Sequence, residues 1–121
     1  MGTFTVIPLV GTCSTGGDLV VKSTRSVNGM LYGIHEDKGT LASGVDMTLA
    51  VIQSEMPKTL LTLTNADTDN NAFYPRASSC GATGSATTDS LIMVPIVGTL
   101  QLTIAEGGSA GIGGLYVYVV E

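Results

Sequence analysis

Short runs in which apolar residues alternate with polar or small ones recur along this chain, and this period of two is the feature that most restricts its fold. Such alternation is typical of strands with one buried face. Clusters of Gly, Pro, Asn or Asp bound the runs, and no stretch sustains a helical period. We therefore predict a single all-β domain over residues 1–121, an antiparallel β-sandwich or jelly roll with long loops rich in Gly, Ser and Thr.

Most of the chain divides into predicted strands and connections. The stretch 35–40 is predicted as a polar turn, 77–90 as a long loop that is extended, mobile or ordered only by a neighbour, and 107–114 as a flexible hairpin connection. Residues 1–5 are a possible extended N-terminal arm. The predicted strands span 3–10, 18–22, 29–35, 46–52, 59–64, 91–95, 99–105 and 115–120, with a brief extended segment at 73–74.

The last two runs form the clearest predicted hairpin, in which 100–104 pairs with 115–120. Alternate residues of a strand point to opposite faces, so each run has one apolar face to bury. The residues predicted on these two buried faces are Leu100, Leu102, Ile104, Leu115, Val117 and Val119.

Charged residues make up only 12% of the chain, about half the usual share, and the net charge is −5. A small domain normally covers its large surface with charged side chains, so this composition favours an oligomer or a lattice subunit. Binding of nucleic acid relies on clustered cations, which this chain lacks, so we expect no nucleic-acid partner. The cations are scattered as Lys22, Arg25, Lys38, Lys58 and Arg76.

The compartment is predicted from the N-terminus and the cysteines. The chain has no basic N-terminal segment followed by an apolar run, and no apolar stretch near the roughly 18 residues of a membrane span. We therefore expect a soluble product of the cytosol with no membrane partner. Cys13 and Cys80 both lie in predicted loops. A disulfide between them is geometrically conceivable, although a cytosolic location favours free thiols.

Residues with metal-binding chemistry are few. Asp67, Asp69 and Asn70 place oxygen ligands as a calcium loop does, but the spacing lacks the glycine and the distal glutamate of an EF-hand, which favours a solvated turn. One histidine and two separated cysteines fall short of a structural zinc site. The stretch 107–114 lacks the Lys-Ser/Thr end of a phosphate-binding loop. We expect no metal and no cofactor.

Catalytic arrangements find no better support. His35 is the only histidine, and no serine or cysteine is placed beside it by spacing, so we interpret it as a residue in a loop or at a strand end whose titration could tune a subunit contact. Acid/base catalysis by Glu36 and Asp37, or by Asp67 and Asp69, would require an aromatic-lined cleft to bind a sugar. The chain has no Trp with which to line one. We assign no catalytic residue and expect that the protein is not an enzyme.

Tyr116 and Tyr118 are the strongest candidates for a binding surface. They share the face of the last strand opposite its buried residues, and tyrosine offers broad amphipathic area of the kind that interfaces favour. An ordinary sandwich exterior is the alternative. We add Phe4, Tyr74 and Arg76 to this candidate partner interface.

Six segments spread over most of the chain from Val27 onward carry a likeness of organisation to a known family. They are 29–33 (GMLYG), 44–49 (GVDMTL), 59–64 (TLLTLT), 74–76 (YPR), 95–98 (PIVG) and 114–121 (GLYVYVVE). In this organisation the chain resembles small structural proteins of tailed-bacteriophage heads, particularly capsid decoration, or cement, proteins.

The resemblance implies a β-sandwich or jelly-roll subunit, a dimer or trimer, that lies on the capsid surface of the virion. There it would sit over junctions between major capsid proteins and hold them against internal DNA pressure. The resemblance brings no catalytic residue and no motif for the surface that faces the capsid. Two other hypotheses stay open: a head-closure or tail adaptor subunit, and a carbohydrate- or receptor-binding module on a β-sandwich.

Overall fold

The computed structural model describes residues 2–52, 57–66, 71–80 and 86–121, with side chains for all of these except 65–66, 78–80 and 86–90. This part of the chain contains strands, turns and extended connections but no helix, and therefore no helix of membrane-spanning length. Its strands are β1 (Phe4–Thr12), β2 (Leu19–Lys22), β3 (Val27–Asp37), β4 (Val45–Ile52), β5 (Lys58–Ala66), β6 (Ala72–Phe73), β7 (Arg76–Cys80), β8 (Ala86–Ala105) and β9 (Ile112–Val120).

The strands pair antiparallel in the order β1-β9-β3-β8-β4-β5, with β6 added to β3, and with β2 and β7 added to β8. We call the layer of β1, β9, β3, β6 and the middle of β8 sheet A. Sheet B contains β2, the last part of β8, β4 and β5. The predicted antiparallel all-β fold is confirmed.

Strand β8 belongs to both layers. Residues 94–98 pair with β3 in sheet A, whereas residues 99–105 pair with β4 in sheet B. Gly98, the last residue in sheet A, has a φ of 140°, which residues with side chains rarely adopt. The strand thus passes from one layer into the other without a break, and the predicted strands 91–95 and 99–105 are one element.

The inward faces of the two layers share one hydrophobic core. Burying a Leu, Ile or Val side chain stabilises the fold by about 1.5–3 kcal/mol, so the alternation itself drives the layers together. The predicted buried faces of the last two runs are confirmed. Each of the six residues is at most 1% exposed: Leu100, Leu102, Ile104, Leu115, Val117 and Val119.

The predicted hairpin between these two runs is wrong. β9 pairs with β1 and β3 in sheet A, while residues 99–105 pair in sheet B. The end of β8 already has β2 on one edge and β4 on the other, which leaves no edge for β9. The two apolar faces therefore meet across the core instead of lying side by side in one sheet.

The connection between β8 and β9 is tied to two other loops at one end of the sandwich. The Gly107 amide donates to the Gly17 carbonyl over 2.9 Å, and the Ala42 amide donates to the Gly107 carbonyl over 3.0 Å. The stretch predicted as a flexible hairpin connection is thus an ordered crossing between the layers. Beside it lies Cys13, a buried free thiol whose pKa is raised by desolvation and by the nearby charge of Asp18.

Three other predicted connections also differ from the structure. Residues 76–80 and 86–93, most of which were assigned to a long loop, pair with each other as β7 and the start of β8. The loop was predicted from a composition rich in Ser, Thr, Ala and Gly, but threonine is also a good strand former. The predicted polar turn at 35–40 begins later, because β3 continues to Asp37. In the possible N-terminal arm, Thr3 exchanges backbone hydrogen bonds of 2.9 and 3.0 Å with Glu121, and β1 begins at Phe4.

Replacing Leu102 with alanine tests the core. Leu102 is fully buried, and its strand lies between β2 and β4, so we expect the free energy of unfolding to fall by about 2–5 kcal/mol, measured by urea denaturation. Thr103→Ala is the matched control, because its side chain points outward on the same strand and should change stability by less than about 1 kcal/mol. Equal losses in the two variants would contradict the assignment of faces.

Candidate functional site

The outward face of sheet A is apolar across four strands. It carries a group of five residues that are 36% to 64% exposed, and we call this group the aromatic face: Phe4, Val6, Tyr32, Tyr74 and Tyr118. Three cross-strand rows run through or beside it. They are Phe4, Val120, Met30 and Pro95; then Val6, Tyr118 and Gly33; then Pro8, Tyr116, His35 and Ala72.

The outward face of sheet B provides an internal comparison. A row across its middle consists of Val20, Thr103, Thr48 and Thr62, and Lys22 aligns with Gln101 in a neighbouring row. Such a hydroxyl-rich face is typical of a sheet that meets water. The two outer faces of one small protein therefore differ sharply, and a contiguous apolar surface on only one of them indicates a binding surface.

A β-bulge places Tyr32 on the aromatic face. Leu31 aligns with Val119 and Gly33 with Tyr118, so Tyr32 is the extra residue of β3. The bulge reverses the alternation of the strand, since Leu31 is buried before it and Ile34 after it. Both Tyr32 and Gly33 consequently lie toward the outer surface of the sheet.

Tyr32 is the centre of the ring contacts. Its ring lies 5.1 Å from that of Phe4 and 6.1 Å from that of Tyr74, at interplanar angles of 85° and 83°. Edge-to-face pairs of this kind each contribute about 0.5–1.5 kcal/mol beyond area burial. The Arg76 guanidinium lies 5.8 Å from the Tyr32 ring centre and donates to the carbonyls of Tyr32 and Pro75 at 2.9 Å. These contacts within the chain therefore fix the shape of the face.

The structure gathers most of the residues of the predicted interface. Phe4, Tyr74, Tyr118 and Arg76 lie around Tyr32, whereas Tyr116 is half-buried in the next row, beside Pro8 and His35. Tyr32 itself was not among the candidates. The sequence signal for Tyr32 was its position directly after the apolar Leu31 in a predicted strand, because consecutive strand residues face opposite sides. That these residues contact a partner stays a prediction.

A pocket of about 210 Å³ opens in the aromatic face. Three tyrosines and a histidine give it an apolar wall with a few polar tips, and the residues that line it include no serine, cysteine or carboxylate. Nothing among them pairs with His35 as a nucleophile would. The lining residues are Tyr32, Gly33, Ile34, His35, Ala72, Tyr74 and Tyr118.

The carboxylates considered for acid/base chemistry point in different directions. Glu36 and Asp37 are consecutive residues of β3, and Glu36 is directed into the protein with 1% exposure while Asp37 is half-buried. Adjacent strand residues face opposite sides, so the two carboxyls do not serve one cleft. The described residues hold no cluster of three or more His, Cys, Asp or Glu side chains that would bind a metal. The stretch 67–70, predicted as a solvated turn with a calcium loop as the alternative, lies outside the described residues.

An ion pair lies where β9 ends. Arg25 Nη1 and Nη2 donate to Glu121 Oε1 and Oε2 at 2.8 and 3.0 Å. These hydrogen bonds are the main reason that the pKa of Glu121 is lowered and that of Arg25 is raised. The pair joins the loop before β3 to the end of β9.

A second apolar surface lies on the pairing of β7 with the first part of β8. We call residues 76–80 and 86–93 the hairpin arm. Ala77 packs against the core at its base, but Leu91 and Ile92 are 66% and 46% exposed although they are consecutive and face opposite sides. Among the described strands, β7 pairs only with β8. A two-stranded ribbon with apolar residues on both faces is marginal in water and gains stability from a neighbour.

Comparison with known proteins identifies no matching family model, no matching curated protein and no matching solved structure. The function must therefore be argued from the two apolar surfaces of this chain.

Replacing Glu121 with glutamine tests the ion pair through pH. A carboxyl whose pKa is lowered by folding stabilises the protein above its unfolded pKa, and this contribution is lost as pH falls through the folded pKa. We expect Glu121→Gln to lower the melting temperature slightly at pH 7, because the pair is exposed, and to have no effect at about pH 2. A difference that persists unchanged in acid would exclude the ion pair as its cause.

Replacing Gly33 with alanine tests the floor of the pocket. A Cβ there would lie 3.0 Å from two ring carbons of Tyr74, so this exposed ring must move. We expect shifted Tyr74 and Tyr32 ring resonances in NMR spectra, with a stability loss below about 1 kcal/mol. Gly16→Ala is the control, since its nearest neighbour would be 3.7 Å away. Unchanged tyrosine resonances in Gly33→Ala would contradict the packing of Tyr74 over Gly33.

Proposed function

We propose that this chain is a virion structural protein, a capsid decoration or cement subunit that binds the shell of major capsid proteins of a tailed bacteriophage and stabilises it. The observation that carries the proposal is the hairpin arm. It exposes Leu91 and Ile92 on opposite faces of a two-stranded ribbon, and such a ribbon is suited to lie between two neighbouring protein surfaces.

The remainder of the molecule is consistent with this role. A shell is locked by many copies of weak contacts, and contacts with few charges lose little hydration energy on docking. The chain has 12% charged residues, and its sandwich gives a rigid body from which the arm extends. The residues that line the pocket in the aromatic face include no serine, cysteine or carboxylate, and we propose no catalytic role for them.

A carbohydrate- or receptor-binding module is the second candidate, and the tyrosine pocket is the observation that favours it. Its tyrosine rings offer stacking surfaces, and His35 supplies a polar group at the wall. However, the pocket is small and mostly apolar, whereas a sugar needs several polar partners for its hydroxyls. Saturable changes in tyrosine fluorescence on titration with oligosaccharides would raise this candidate above the first.

Co-sedimentation with purified empty shells of the encoding bacteriophage tests the proposed function. We expect the wild-type chain to bind in a fixed copy number per capsid protein and to raise the temperature at which the shells fall apart. The double variant Leu91→Ser/Ile92→Ser should bind roughly 10-fold or more weakly, because each side chain would lose a buried apolar contact.

Val20→Ser is the matched control for the arm, because Val20 is an exposed aliphatic residue of sheet B away from both apolar surfaces. It should bind the shells as the wild type does. Binding of a single ring of copies at one vertex would identify a head-closure or tail adaptor instead. No binding by the wild-type chain would overturn the proposal.

A further inference from the structure

We propose that the aromatic face packs against the same face of a second copy of this chain, related by a two-fold axis. The inference goes beyond the proposed function, because it concerns a different surface from the hairpin arm and does not require a shell. Three observations favour a second copy as the partner: the area of the face, the distribution of charge around it, and the hydrogen-bonding groups on the neighbouring sheet edge.

The area is sufficient for a dimer. Rings of this kind bury about 150–250 Å² each, and the four on the aromatic face are about half exposed, so they supply roughly 400 Å². The exposed aliphatic residues of the same rows, such as Val6, Pro8 and Pro95, raise the total to roughly 600 Å² per copy, the size of a large apolar patch on a small protein. Two copies would bury about 1,200 Å², at the lower end of the range of specific interfaces.

The charge around the face permits self-association. Two chains of net charge −5 repel each other, so a contact between them must avoid the carboxylates. Among the acids whose side chains are described, none lies in the three rows through or beside the aromatic face, and Asp37, one row beyond His35 on the same outer face, is half-buried. The others point into the protein, lie in turns or in sheet B, or pair with Arg25 at the end of β9. They are Asp18, Glu36, Asp46, Glu106 and Glu121.

The free edge of sheet A is a poor alternative contact. Thr3 and Glu121 exchange both of their backbone hydrogen bonds, so alternate residues of β1 from Phe4 onward direct their N–H groups away from β9. Pro8 is one of these and has no N–H to donate. A second copy that added its strand here would lose a ladder bond at the middle of β1, so the face is favoured over the edge.

A charge placed on the face tests the dimer. We expect sedimentation equilibrium at about 100 µM to give the wild-type protein twice the 12.3 kDa chain mass. Tyr118→Glu should weaken association by roughly 30-fold or more, because a two-fold interface brings two copies of each substitution together. Val6→Glu, on the neighbouring strand β1, should do the same and provides a second variant if one misfolds. Thr103→Glu, on the outer face of sheet B, is the matched control and should remain a dimer.

Three results would overturn the inference: a wild-type monomer at this concentration, a stable trimer, or a dimer that persists in both face variants while they retain the native near-ultraviolet circular dichroism. These results are separate from those on shell binding. A wild-type monomer that still binds shells through the arm would contradict the dimer and support the proposed function. A dimer that does not bind shells would support the dimer and contradict the proposed function.

Discussion

The whole architecture depends on one strand that is shared by two layers. β8 pairs with β3 before Gly98 and with β2 and β4 after it, so the covalent chain itself joins sheet A to sheet B. Its buried leucines in sheet B face the apolar residues of β9 across the core. Because hydrophobic burial is the main favourable term in folding, this shared strand brings together the two faces whose contact stabilises the protein.

The same strand determines where the two exposed apolar surfaces lie. Before it enters the sandwich, β8 pairs with β7 as the hairpin arm, and Arg76 at the start of β7 reaches Tyr32 on the aromatic face. The arm and the face are thus neighbours but use different residues. Tyr32 contacts rings contributed by β1 and by the segment after β6, so the face takes its shape from several parts of the chain.

The sequence predicts which residues are buried better than it predicts which strands are neighbours. Alternation correctly assigns the inward faces of residues 99–105 and 115–120, because burial depends on the period of each strand alone. The predicted hairpin between them fails, because pairing depends on which edges are free, and β2 and β4 occupy both edges of β8. Tyr32 was missed although alternation from Leu31 places it on the outer face, whereas the one-residue bulge that brings Gly33 to the same face leaves no mark in composition.

Joining the two surfaces in one molecule has a consequence for binding strength. The proposed two-fold dimer through the aromatic face would carry two hairpin arms, one from each copy. Once one arm had bound, the second would meet its site at the high effective concentration set by the sandwich between them. Weak contacts made by Leu91 and Ile92 would then be sufficient for stable attachment to a surface with repeated sites, although a single arm would dissociate quickly. On this proposal, a chain with few charges attaches to a repeating protein lattice through apolar contacts that are individually small.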